Sequence, residues 1–149
     1  MSNTLDPIDL DLNQVRVIVQ AMVRVAHADG AHERELVLIR EFYEACRHEV
    51  RGLADFHDIQ RAPFDAALAR ESITSDALRQ TLLTSCYLVA YADGEVSDGE
   101  LTAIDEIAHE LEIEPAVVAS ARDRIKDMLF TQLAHSANYE ALQKISTSM

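Results

Sequence analysis

The segment Arg24-Val25-Ala26-His27-Ala28-Asp29-Gly30 returns 64 residues later as Leu88-Val89-Ala90-Tyr91-Ala92-Asp93-Gly94. Beyond the glycine the correspondence continues at an offset of 65. There Glu35, Leu36, Ile39, Phe42, Tyr43 and Cys46 stand against Glu100, Leu101, Ile104, Ile107, Ala108 and Leu111. Such self-similarity means that both copies must solve the same folding problem. Upstream, Ile18, Val19, Met22 and Val25 align with Leu82, Leu83, Cys86 and Val89, so apolar residues recur at helical spacing on both sides of each Asp-Gly. Each copy therefore reads as helix, short loop, helix. The helices fall near 9–28 and 33–51, and near 75–92 and 98–112, within repeats of about 15–51 and 79–112.

Local signals agree with those boundaries. Gly30 and Gly94 stand where a helix ends in a left-handed residue that glycine adopts at little cost. Ser97 followed by Glu100 forms a capping box, and Glu114-Pro115 opens a further helix with proline where its missing N–H does no harm. That helix carries Val118, Ala121, Ile125, Met128 and Leu129 on one face, and a shorter one is expected through Tyr139, Leu142 and Ile145. Between the copies, 55–71 reads as a turn of helix, a break at Pro63 and a short helix. The expected architecture is all-α, a single-domain bundle of about six to seven helices over 1–149, built from two duplicated hairpins. Aligned pairs such as Val25 and Val89, or Phe42 and Ile107, should share one core. Cys46 and Cys86 belong to no CxxC pair and read as small core residues.

Charge narrows the partners. Asp and Glu number 26 against 13 Lys and Arg, a formal net charge of −13. Such a chain repels phosphate backbones, so no nucleic acid is expected, whereas cations or a basic protein surface are favoured. The N-terminus lacks a charged start followed by an apolar run, and no stretch approaches a membrane span. A cytoplasmic protein without membrane insertion is expected.

The second loop, Asp93-Gly94-Glu95-Val96-Ser97-Asp98-Gly99-Glu100, matches the back half of a calcium-binding EF-hand loop: an acid, a glycine, an apolar residue and a closing glutamate. The front half is missing, because Val89 and Tyr91 stand where carboxylates belong. Asp93, Glu95, Asp98 and Glu100 nevertheless form a partial oxygen-rich set suited to calcium, magnesium or manganese. The first loop offers His27 and His32 around Asp29, with Glu33 and Glu35 after it, closer to what zinc or nickel takes. Helix capping and helix dipoles account for Glu100, Asp98 and Glu33 without any ligand. Asp29 and Asp93 lie in the last turn of a helix, where an acid costs about 0.3–1 kcal/mol. Either a cation held between acids or a side chain capping the next helix explains both.

The paired Ala-Asp-Gly motifs, each followed by a glutamate at the start of the next helix, resemble the TerB-like family over about residues 15–112. That family includes tellurite-resistance proteins and a domain of some membrane-anchored J-domain co-chaperones. The resemblance implies a duplicated all-α fold, acidic residues suspected of binding metal, a role in stress-response assemblies and no established catalysis. Its acidic positions carry onto Asp29 and Glu35 in the first copy and Asp93 and Glu100 in the second, with His27, His32, Glu95 and Asp98 as additional candidates. The first loop is one residue shorter than the second, which sets the two sites apart. No His-Pro-Asp tripeptide occurs, so the chain carries no J-domain of its own.

The expected function is a non-enzymatic module that binds a divalent cation or a basic partner through its two Asp-Gly loops, with calcium, magnesium or manganese ahead of zinc or nickel. A purely structural acidic adaptor is the alternative. A hydrolase using Asp29, His27 and His32 is the least favoured, since no nucleophile stands in a known motif and Cys46 and His48 point apart on a helix.

Overall fold

A computed structural model describes residues 10–135 except 29, 31–32, 48–49, 51, 54 and 93–95, with side chains as far as residue 131. Among the described residues there are seven helices and no strand. They are α1 (Leu12–His27), α2 (Glu33–Arg47), α3 (Phe56–Arg61), α4 (Ala66–Ser72), α5 (Asp76–Ala90), α6 (Asp98–Glu110) and α7 (Pro115–His135). The duplicated segments thus form the hairpins α1–α2 and α5–α6, with α3 and α4 between them. The helix expected through Tyr139, Leu142 and Ile145 lies outside the described residues.

Short-range chemistry sets the helix starts. Asp11 caps α1 by accepting from the Gln14 N–H at 2.8 Å, while the Gln14 side chain accepts from the Asp11 N–H at 2.9 Å. This reciprocal pair starts the helix at Leu12 rather than at residue 9. Asp65 and Ser75 cap α4 and α5 by accepting from the N–H groups of Leu68 and Leu78, both at 3.1 Å. Pro115 is the first residue of α7, as its missing donor predicts. Gly30 adopts φ +88°, the left-handed conformation expected after α1.

The end of α6 differs from expectation. It stops at Glu110 and not near 112, because Glu112 itself turns left-handed at φ 56°. The Glu112 N–H donates to the His109 carbonyl at 3.0 Å and the Ile113 N–H to the Ala108 carbonyl at 2.9 Å. Those two bonds make a Schellman motif, with glutamate in the place usually taken by glycine.

Helix α1 lies at the centre, packed against α2, α3, α4, α5 and α6. It is covered nearly all round: Val15, Val17, Ile18, Val19, Ala21, Met22, Val25 and Ala26 are all buried. Helix α5 packs against both α1 and α7 and is similarly enclosed. Its buried Thr81, Thr84 and Ser85 remain satisfied because their hydroxyls donate to carbonyls one turn earlier, at 2.7–2.9 Å.

Val25 and Val89 are both fully buried, and so are Cys46 and Cys86, which are not joined in a disulfide. Phe42 departs from its pairing with Ile107. Ile107 is fully buried, but Phe42 is only half-buried, and the adjacent Tyr43 occupies the interior against Phe56, with ring centroids 5.3 Å apart. One residue along a helix is a rotation of about 100°, enough to exchange which of two neighbouring aromatics faces inward.

Candidate site: a buried glutamate pair joining the two hairpins

Ser97 caps α6, accepting from the Glu100 N–H at 3.0 Å, and Glu100 Oε1 accepts from the Ser97 N–H at 3.0 Å. The capping box read from the sequence is therefore present. It fixes Glu100 at the third position of α6 with its carboxyl turned back over the helix start. Glu35 holds the same third position in α2. Both side chains are 1% exposed, which is unusual for glutamate.

The two carboxyls lie close enough for Glu35 to raise the pKa of Glu100, so the hairpins approach each other at this pair. Two ionised carboxylates repel each other, so this approach favours a shared proton or an equivalent positive charge. Glu100 Oε2 is buried and has no hydrogen-bond partner among the described residues. Burial pushes the Glu100 carboxyl up to about 8, and the Glu35 carboxyl adds to that, while the Ser97 contacts act in the opposite direction. Near neutral pH, then, Glu100 holds a proton that an exposed glutamate would have lost.

The chain near the first loop also reaches the second hairpin. A methyl group placed at Gly99 would lie 3.1 Å from the carbonyl oxygen of Ala28, the residue before Asp29. Gly99 is needed for that close approach of α6 to the end of α1.

The structure thus brings together Glu35 and Glu100, one from each copy, where the sequence analysis grouped them with separate loops. Asp98 and His27 are exposed. Asp29, His32, Asp93 and Glu95 lie outside the described residues. Among the described residues no group of three or more His, Cys, Asp or Glu side chains is placed to hold a metal ion. The Glu35–Glu100 pairing escaped sequence reasoning, although its signal was present in two glutamates at matching third positions of duplicated helices.

These features define a duplicated all-helical protein whose two halves are joined through a buried acidic pair. Over residues 54–123 the chain is similar to the family model described as tellurite resistance protein TerB. The match runs from α3 into α7 and includes Ser97 and Glu100, so it covers the second hairpin and not the first. No curated protein and no solved structure matches the chain. None of the described helices is long and apolar enough to cross a membrane.

Proposed function

We propose that the chain is a non-enzymatic binding module of a tellurite-resistance-like stress-response system, in which a divalent cation exchanges for the proton held between Glu35 and Glu100. The observation that carries this reading is the buried Glu100 Oε2, which has no hydrogen-bond partner among the described residues and belongs to a carboxyl that interacts with Glu35. A hard cation such as calcium, magnesium or manganese is suited to carboxylate oxygens and relieves repulsion between them. Two carboxylates leave such an ion short of ligands. Asp29 and Asp93, one from each Asp-Gly loop, complete the proposed set, and water supplies the remainder. The stabilising effect of the ion is then transmitted to both hairpins at once.

The non-enzymatic part of the reading is supported by the cysteines. Burial pushes the Cys86 thiol up to about 12, far from the range of a nucleophilic thiolate, and Cys46 is enclosed as well. The acidic surface remains available to a basic protein partner, in keeping with the net charge of −13.

Thermal melts in chelator and in millimolar calcium, magnesium or manganese test the proposal. Binding to the folded state alone should stabilise it by about 2.7 kcal/mol at a hundredfold excess over Kd. Glu100→Gln and Asp93→Asn should each abolish the rise. If no divalent ion shifts the wild type, the pair is a proton-sharing structural link and the cation reading fails.

A further inference from the structure

We propose that the cleft between α5, α6 and α7 binds a small organic monocarboxylate, with its carboxylate on Arg122 and Lys126 and its apolar body against Ile113 and Val118. The cleft has a volume of about 470 Å³, within the range of small-molecule sites. It lies apart from Glu35 and Glu100, neither of which lines it.

The charge arrangement on its wall identifies the ligand. Among the described residues the ion pairs are Arg24 with Glu106 and Glu110, Arg47 with Glu44, and Arg79 with Asp76, so Arg122 takes part in none of them. Arg122 approaches the Tyr91 hydroxyl closely enough to raise its own pKa, yet neither Tyr91 Oη nor Arg122 Nε has an aligned hydrogen-bond partner. Asp105 also acts on this guanidinium, yet its Nε is left without an acceptor, and the planar fork matches a carboxylate. Lys126 follows one turn later on α7 and lines the same cleft. Tyr87 lies there too, its hydroxyl pushed up to about 12 by burial and then by Asp105, so it keeps its proton for donation.

Two observations limit the ligand to a single negative charge. Asp105 and Asp123 stand on the same wall, and the whole chain carries −13, so a phosphate dianion meets repulsion that a monocarboxylate largely escapes. The apolar side chains of Ile113 and Val118 favour a hydrocarbon or aromatic body over a strongly hydrated one.

Benzoate is the probe, with benzamide as its neutral counterpart, and amide chemical shifts of the full chain are the readout, in chelator so that the cation site plays no part. Millimolar benzoate should move the amide signals of Tyr87, Ile113, Val118 and Arg122, and benzamide at the same concentration should leave them in place. Arg122→Gln should weaken benzoate about tenfold or more, and Lys126→Gln by about threefold, as expected for losing a charge-assisted fork and a single charge. Should Arg122→Gln fail to fold by circular dichroism, Lys126→Gln and the benzamide comparison decide. Absence of benzoate shifts, equal binding of benzamide, shifts mapping elsewhere, or wild-type affinity in a folded variant would each overturn the proposal. Failure here leaves the cation proposal untouched, since that one is read from melts in divalent ions.

Discussion

Glu35 and Glu100 occupy the same position in the two duplicated hairpins, and their buried carboxyls lie close enough for Glu35 to raise the pKa of Glu100. A duplication usually yields two copies of a site. Here the two copies meet in one buried acidic pair.

This pair should give the fold a definite pH response. The Glu100 pKa is about 8 in the folded chain against an ordinary value of 4.5. Between those limits the folded state holds a proton that the unfolded state has released. Stability therefore falls as pH rises from about 4.5 to about 8, and levels off above. Urea titrations across that range should show the decline for the wild type, and Glu100→Gln, whose amide donates to Glu35 without titrating, should flatten it. A wild-type curve parallel to that of Glu100→Gln would show that Glu100 titrates normally.

The divalent-ion response should depend on which acid is removed. Asp93→Asn should preserve stability in chelator, because it deletes one negative charge from a chain of net charge −13, yet abolish the rise with calcium or manganese. If Asp93 is instead a helix cap, Asp93→Ala should cost about 0.5–2 kcal/mol with or without metal. Melting both variants in chelator and in metal distinguishes these outcomes.

Glu112 offers a test of the backbone. A left-handed conformation costs a residue with a side chain about 1–2 kcal/mol, and glycine avoids that cost while giving up some unfolded-state restriction. Glu112→Gly should raise stability by about 0.5–1 kcal/mol, helped by removing an acid from the negative end of α6. Chemical denaturation that finds it destabilised would mean the Glu112 side chain makes a contact worth more than the strain.

Gly99 should behave in the opposite way. Replacing a helical glycine by alanine ordinarily contributes about 0.5–1 kcal/mol. At Gly99 the new methyl meets the Ala28 carbonyl at 3.1 Å, so Gly99→Ala should show no such gain in a urea melt. A full gain would show that the end of α1 yields freely.

The neighbouring aromatics of α2 should separate clearly. Tyr43 is 1% exposed, and Tyr43→Ala should cost about 3–5 kcal/mol, in the range of other buried aromatics. Phe42 is half-buried, and its truncation should cost roughly half as much. Equal losses in denaturation would show that the inward face of α2 has been misassigned.

The sequence alone determined the elements whose causes are local. Apolar spacing around each Asp-Gly, the Ser97–Glu100 capping box, Pro115 at the start of α7 and the left-handed Gly30 all act within a few residues, so each was legible before any packing was known. The duplication supplied the hairpins for the same reason. Tertiary structure decided what depends on neighbours distant in the chain. It enclosed α1 on nearly every side, turned Tyr43 inward in place of Phe42, and set Gly99 against Ala28. It also joined Glu35 to Glu100, two residues that the sequence had assigned to separate loops. Periodicity tells which face of a helix is buried but not what lies opposite it, and a carboxyl acquires its proton from the burial and the second carboxyl that packing provides.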